Sequence, residues 1–424
     1  MKFAFVTPRY GADLQTGPEH ACRLFAEHLS KRHDIDVLTT CGRDPSTWAN
    51  AYAEGADRVR GVLVRRFAIN QTHDRAAFRQ LSTRLLSEPH GRADEQEWVR
   101  RLGPSSPALL DFLKRQYRTY DALVFFSLYH PTTVVGINVA PERSIVFPYL
   151  QLDPRLRFAL WPDVLASARA VGYLSASERT LAHQYLRVAP PSEETVGIGI
   201  ETPVQHVYPR HQQDPADEMT ETDEDASAPT DAAVRTDYLT SRGVLFRRRH
   251  RLYGRFALHA GRIEPDNGSE EMLEYFDGYA AANGDVALVL TGIKLLKIPD
   301  APYLRMPGVL ADRERLTAYE AADVTLAPEP DDLLGTAVLE SFAVGTPTLV
   351  TARNLAAVEH CRRANGGLYY ATRGEFIEAL RLLMGDQRLR ERLGENGRRY
   401  IRQHYHWDAV LGRFERLVAN TRRS

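Results

Sequence analysis

Cysteine is nearly absent: Cys22, Cys41 and Cys361 are the only three in 424 residues, and they lie far apart. That excludes a disulfide framework or a Cys-x-x-Cys metal site and fits a reducing compartment. Net charge is equally lacking. Lys and Arg number 54 against 55 Asp and Glu, leaving −1, so bulk electrostatics supply no general affinity for nucleic acid. Long apolar runs are missing too. No stretch approaches the roughly 20 apolar residues of a membrane span. Met1 to Val6 is too short for a secretory signal and reads as a first strand. Peripheral membrane contact stays open. What the chain does have is length and 43% hydrophobic residues, more than one core usually holds, so two domains are expected.

The opening is strand, glycine-bearing loop, helix, strand. Lys2 to Thr7 is followed by Gly11 to Gly17. A helix then opens at Pro18 with Ala21, Leu24, Phe25 and Leu29 on its inner face, and Ile35 to Thr39 follows. Further strands are expected at 61–67, 122–126, 144–147 and 170–174, with a helical insertion at about 78–117. Ser175 and Glu178 have capping-box spacing. The composition changes after residue 200. Nine acids fall between Asp214 and Asp237 among Ser, Thr, Pro and Ala, which predicts an acidic, mobile insertion over 205–242. The run Arg247 to Arg251 reads as a solvated helix end. A second α/β unit then runs to about residue 400. The last helix, about 407–418 in the 401–424 tail, is expected to cross back to the first. The expected class is therefore α/β, with domains 1–200 and 243–400 of Rossmann-like, doubly wound form facing a central cleft.

Residues 323–350 organise the second unit: strand Val324 to Ala327, an acidic loop, a helix carrying Val338, Leu339 and Phe342, a stop at Gly345-Thr346-Pro347, and a strand. Asp332 and Glu340 bracket the helix start. A helix N-terminus offers unpaired N–H groups and the positive end of a dipole, which suits an anionic or polyhydroxyl ligand.

On these residues the chain resembles the GT-B glycosyltransferases, specifically glycosyltransferase family 4. Asp332 to Glu340 followed by Gly345-Thr346-Pro347 matches that family's Glu-x7-Glu stretch. Thr7 to Tyr10 with Thr16 to Glu19 resembles its N-terminal glycine loop, and Gly261 to Gly268 its diphosphate motif. Asn365 to Tyr370 and His404 to Trp407 are similar to its C-terminal segments. The resemblance implies roles. Glu340 would hold the nucleotide ribose and Asp332 a sugar hydroxyl. The amides of Leu334, Gly335 and Thr336 would bind sugar or phosphate oxygens, and Arg262 the diphosphate. Gly17 would approach the diphosphate closely, and Val309 and Leu310 would line the base pocket. Asp153 and His130 are acceptor-side candidates, with His130 equally readable as a buried structural histidine. Four positions depart from the family pattern: Asp332 for Glu, Asn267 for Lys, Thr16 for Gly and Gln151 for His. Asn267 removes a positive charge that Lys294 or Lys297 could restore.

The implied function is retaining, metal-independent transfer of a sugar from a nucleotide-sugar donor (UDP-, GDP- or similar) to an acceptor hydroxyl. No cofactor or metal is expected, the acceptor is undefined, and the setting is the cytoplasm, including the inner face of a membrane. The alternative is a catalytically degenerate GT-B-like protein that binds a nucleotide or partner without transfer.

Overall fold

The computed structural model describes residues 1–14, 17–70, 73–188, 190–201, 242–284 and 286–423. Thr16 and the acidic insertion lie outside these residues. Two sheets organise the chain. The first has the order β3-β4-β2-β1-β5-β6-β7-β8, from β1 (Lys2–Val6), β2 (Asp34–Thr40), β3 (Gly55–Val59), β4 (Val62–Phe67), β5 (Ala122–Phe126), β6 (Ser144–Phe147), β7 (Ala170–Tyr173) and β8 (Glu193–Thr195). All neighbours pair in parallel except β3 with β4. The second sheet is wholly parallel in the order β11-β10-β9-β12-β13-β14. Its strands are β9 (Arg255–Ala260), β10 (Val286–Thr291), β11 (Leu304–Gly308), β12 (Val324–Ala327), β13 (Thr348–Thr351) and β14 (Gly367–Tyr370).

The central strands are apolar along their whole length, β5 as Ala-Leu-Val-Phe-Phe with every residue buried, because helices cover both faces. The strands not expected from sequence, β3, β8, β11 and β14, are edge strands. They keep polar or exposed residues because only one neighbour pairs with them.

Each sheet starts in its middle and is wound outward in both directions. The strand order therefore reverses between β1 and β5 in the first sheet and between β9 and β12 in the second. In such sheets the crevice beyond the carboxyl ends of the strands at the reversal is where ligands bind.

The region between β4 and β5 holds three helices, Arg75–Ser87, Arg92–Leu102 and Pro107–Gln116. The C-terminal helix Trp407–Arg423 packs on the first sheet, placing Trp407, Val410, Leu411, Phe414, Leu417 and Val418 in one cluster with Phe3, Phe5, Phe25 and Phe147. The basic run ends the Arg242–Arg249 helix with Arg248, Arg249 and Arg251 exposed, as expected of a solvated helix end, but Arg247 departs from that role. Arg247 donates to the carbonyls of Ala321 (2.8 Å) and Gly254 (2.7 Å), pairs with Asp323 (2.9 Å) and covers the Phe256 ring. One cation thus ties the Arg242–Arg249 helix to the second sheet.

Candidate active site

The loops after the reversal strands meet between the lobes. Leu333 and Leu334, which follow β12, are buried in the first lobe's core cluster. Gln151 Nε2 reaches the Asp331 carbonyl at 3.4 Å, and Ser177 Oγ bonds Glu359 at 3.1 Å. Tyr149, just beyond β6, has a left-handed backbone (φ +57°) and feels Asp332 of the second lobe together with Glu178 and Glu19 of the first. A non-glycine residue held there is strained, a feature that gathers at functional sites.

In the second lobe, Asp332 takes up the helix start itself. Its carboxylate accepts from the N–H groups of Leu334 (3.1 Å) and Thr336 (3.0 Å) at the head of the Thr336–Val344 helix. Sequence reasoning left those amides for the ligand; here two of them are satisfied by the chain's own acid. Burial raises the Asp332 pKa, and the three amides of Leu334, Thr336 and Gly335 oppose that rise. The Leu334 carbonyl is in turn fixed by buried His360 Nε2 at 3.0 Å, whose Nδ1 lies 3.1 Å from the Tyr400 hydroxyl. Glu340 is not a free carboxylate either. Arg315 grips both its oxygens, at 3.0 and 2.7 Å. A ribose diol binding Glu340 would share or displace that fork.

Arg262 is largely exposed and pairs with Glu264 at 2.7 Å. Asn267 does a structural job: Nδ2 donates to the Arg262 carbonyl (2.6 Å), while Oδ1 accepts from Ser269 N–H (3.2 Å) and Oγ–H (2.7 Å) at the start of the Ser269–Ala282 helix. It braces the loop instead of charging it. Gly268 lets that loop lie against the next one; a Cβ there, at φ +85°, would stand 2.2 Å from the Pro328 carbonyl oxygen. Lys294 sits beside Ile263 through a single bridge. Lys294 and Lys297 are exposed and form no ion pair among the described residues. Val309 is 71% exposed and Leu310 packs partly on the core of the second sheet.

In the first lobe, Gly17 (φ +79°) opens the Gly17–Leu29 helix. Glu19 in its first turn is buried against Arg9 at 2.9 Å. His130 Nδ1 lies 2.6 Å from the Gly103 carbonyl, so Nδ1–H is the donor and Nε2 the free acceptor, and burial lowers the ring's pKa. Asp153 has both oxygens on the Arg155 guanidinium, at 2.9 and 2.7 Å, and caps the short turn Pro154–Arg157. That pairing leaves neither oxygen of Asp153 without a partner. A 490 Å³ cavity in this lobe, lined by Val99, Leu110, Val134, Leu160 and Val164 among others, contains none of the nominated residues. Among the described residues no three His, Cys, Asp or Glu side chains group as a metal site, and no helix is long and apolar enough to cross a membrane.

Arg315, Tyr149 and His360 were missed from sequence because no motif marks them, and Glu19 was missed as a site acid although it ends the Thr16 to Glu19 stretch. Glu329 and His259 were missed although Glu329 lies inside the acidic loop itself.

Comparison with known proteins bears on the same lobe. Residues 246–400 match the family model described as Glycosyl transferases group 1. A stretch of 100 residues is 30% identical to the GDP-mannose-dependent alpha-(1-6)-phosphatidylinositol dimannoside mannosyltransferase of Mycobacterium tuberculosis. That match covers 22% of this chain and spans about a quarter (26%) of the relative's length. Among solved structures, Anabaena HepE in complex with UDP superposes with a TM-score of 0.66 at 13% identity, over 99% of this chain and 100% of that one. Sucrose-phosphate synthase from Thermosynechococcus elongatus gives 0.61 at 14% identity, over 99% and 98%. Likeness at such identities concerns the fold. The two lobes form the GT-B architecture, and residues 246–400 are similar to the group 1 glycosyltransferases.

Proposed function

We propose that the protein transfers a sugar from a nucleotide-sugar donor to an acceptor hydroxyl, with retention at the anomeric carbon and without a metal. The observation that carries this reading is the meeting of the two reversal points. The Asp332 loop of the second lobe, with its amide cap, comes close to Tyr149, which also feels Glu178 and Glu19 of the first lobe, the latter in the first turn of the Gly17 helix. Glu340 would hold the ribose diol and Arg262 the diphosphate. The sugar would lie between Asp332 and Gly17, with Val309 and Leu310 by the base. The ligands named for two of the similar proteins, GDP-mannose and UDP, support a nucleoside diphosphate leaving group.

The retaining course draws support from the first lobe. Its nominated carboxylate, Asp153, is neutralised by Arg155, and Glu19 is neutralised by Arg9. Deprotonation of the acceptor would then fall to the departing phosphate, as bond cleavage runs ahead through an oxocarbenium-like state. In this reading His130 Nε2 would accept a hydrogen bond from the acceptor, its Nδ1 being taken by the Gly103 carbonyl. The three buried free cysteines support a reducing, cytoplasmic setting, including peripheral contact at a membrane's inner face.

A second reading, nucleotide binding without transfer, is favoured by one observation: Asn267 spends its amide on loop and helix rather than on the diphosphate. A screen of UDP-, GDP-, ADP- and dTDP-sugars read by nucleoside diphosphate release, beside thermal shift with the four diphosphates, separates the two. Release with any donor supports transfer. Stabilisation without release supports the second reading, and no stabilisation by any nucleotide discards both.

A further inference from the structure

The reversal point of the second sheet holds a pair of titratable side chains to which none of the roles above assigns a task. Glu329 follows β12 and His259 lies on β9, the two strands between which the winding reverses. His259 is 1% exposed. Its Nδ1 faces the Leu326 carbonyl at 3.3 Å, so Nε2 carries the lone pair, and it has no hydrogen-bond partner. The nearest acid is Glu329, with Oε1 3.8 Å away. Gly261 passes directly over both: a Cβ there would stand 2.9 Å from Glu329 Oε1 and 3.2 Å from His259 Cε1. Glu329 keeps 23% of its side chain exposed, so it is open to the cleft beside the Gly261–Arg262 turn.

No Lys or Arg pairs with Glu329 among the described residues. The other titratable groups facing it are Asp332 on its own loop, Tyr319 on the Asp312–Ala321 helix and Tyr370 on β14. An ionised Glu329 would therefore set a second negative charge beside Asp332, with no cation paired to it, at the place where a diphosphate must enter. In an enclosed site that repulsion is large.

We propose that Glu329 serves the donor site as a neutral carboxylic acid, donating a hydrogen bond to a diphosphate oxygen in the space that Gly261 leaves open. This rests on the reading of the cleft as a nucleotide-sugar site. The proton stays on Glu329; no bond is made or broken. Burial agrees with the assignment, pushing Glu329 up to about 8 and His259 down to about 4, so both are neutral at pH 7. The sign of the linkage follows. An anionic ligand that prefers the protonated acid binds with constant affinity well below pH 8 and loses about tenfold per pH unit above it.

The test is calorimetric titration of UDP and GDP between pH 6.5 and 9 with the wild-type protein and Glu329→Gln. The wild type is expected to weaken above pH 8. The variant, a neutral but poorer donor, should start several-fold weaker at pH 7 and show no such fall, so that the two curves converge. Ligand titration is common to both proteins and cancels in the comparison. Infrared difference spectra provide a readout that needs no nucleotide: a protonated-carboxyl stretch at pH 7 that titrates near 8 and is missing from Glu329→Gln. Nucleotide binding with identical pH profiles in the two proteins overturns this proposal and leaves the functional reading standing. Absence of all nucleotide binding at pH 6.5 overturns both.

Discussion

Two buried glutamates, one in each lobe, show what separates an acid that builds the fold from one that faces a ligand. Glu178 is fully buried in the first lobe. Its carboxylate accepts from the N–H groups of Leu150 (2.9 Å) and Leu174 (2.6 Å), joining the chain ends beyond β6 and β7. Glu329 lies at the equivalent margin of the second sheet, and only its own backbone N–H donates to its carboxylate. Burial raises both, Glu178 to about 7 and Glu329 to about 8; the amides restrain the first. A satisfied acid is a brace. An unsatisfied one beside a glycine turn is a group waiting for a partner. The same contrast runs through the cleft. Glu19 and Asp153 in the first lobe carry their own arginines, whereas Asp332 in the second is held by amides alone.

The comparison can be broken in four places. Glu178→Ala strands two buried N–H groups and should cost about 2–5 kcal/mol of stability by denaturant unfolding, with nucleotide affinity of the folded protein unchanged. Unchanged stability would remove the brace from the argument. Glu340→Ala deletes the acceptor of the ribose diol and should weaken UDP or GDP on the order of 10²-fold by calorimetry, at near-native melting temperature. Asn267→Lys places a charge where the loop has only an amide and should tighten diphosphate binding about tenfold, less whatever the lost Ser269 contact costs. The fourth effect concerns stability and pH. Folded Glu329 holds a proton up to about 8 that the unfolded chain releases near 4.5, so the wild type loses stability as pH rises through that window. Glu329→Gln should therefore melt a few degrees higher than wild type at pH 9 and level with it at pH 4.5, measured by calorimetric scans.

Much of the fold was legible because its signals are local. Apolar runs such as Val324 to Ala327, and the Gly345-Thr346-Pro347 stop, fix strands and helix ends through side-chain burial and backbone conformation within a few residues. The edge strands β3, β8, β11 and β14 escaped for the opposite reason: pairing on one side leaves little apolar pattern to read. Asp332 and Glu340 were visible as site acids, yet what holds each was not. Arg315 lies 25 residues before Glu340, and His360 lies 26 after Leu334, separations that no motif spans.

By itself, then, the sequence determined two wound sheets and the chemistry of the turn between β12 and the helix after it. Periodicity and turn residues act over one or two elements and need no neighbours. Tertiary structure alone decided which charges are spent and which are available. It gave Asp332 the helix amides, closed Arg315 on Glu340, used Asn267 as a brace, and left Glu329 and His259 facing one another under Gly261. Hydrogen-bond satisfaction and desolvation depend on what surrounds a group in space, and the order of residues along the chain does not carry that information.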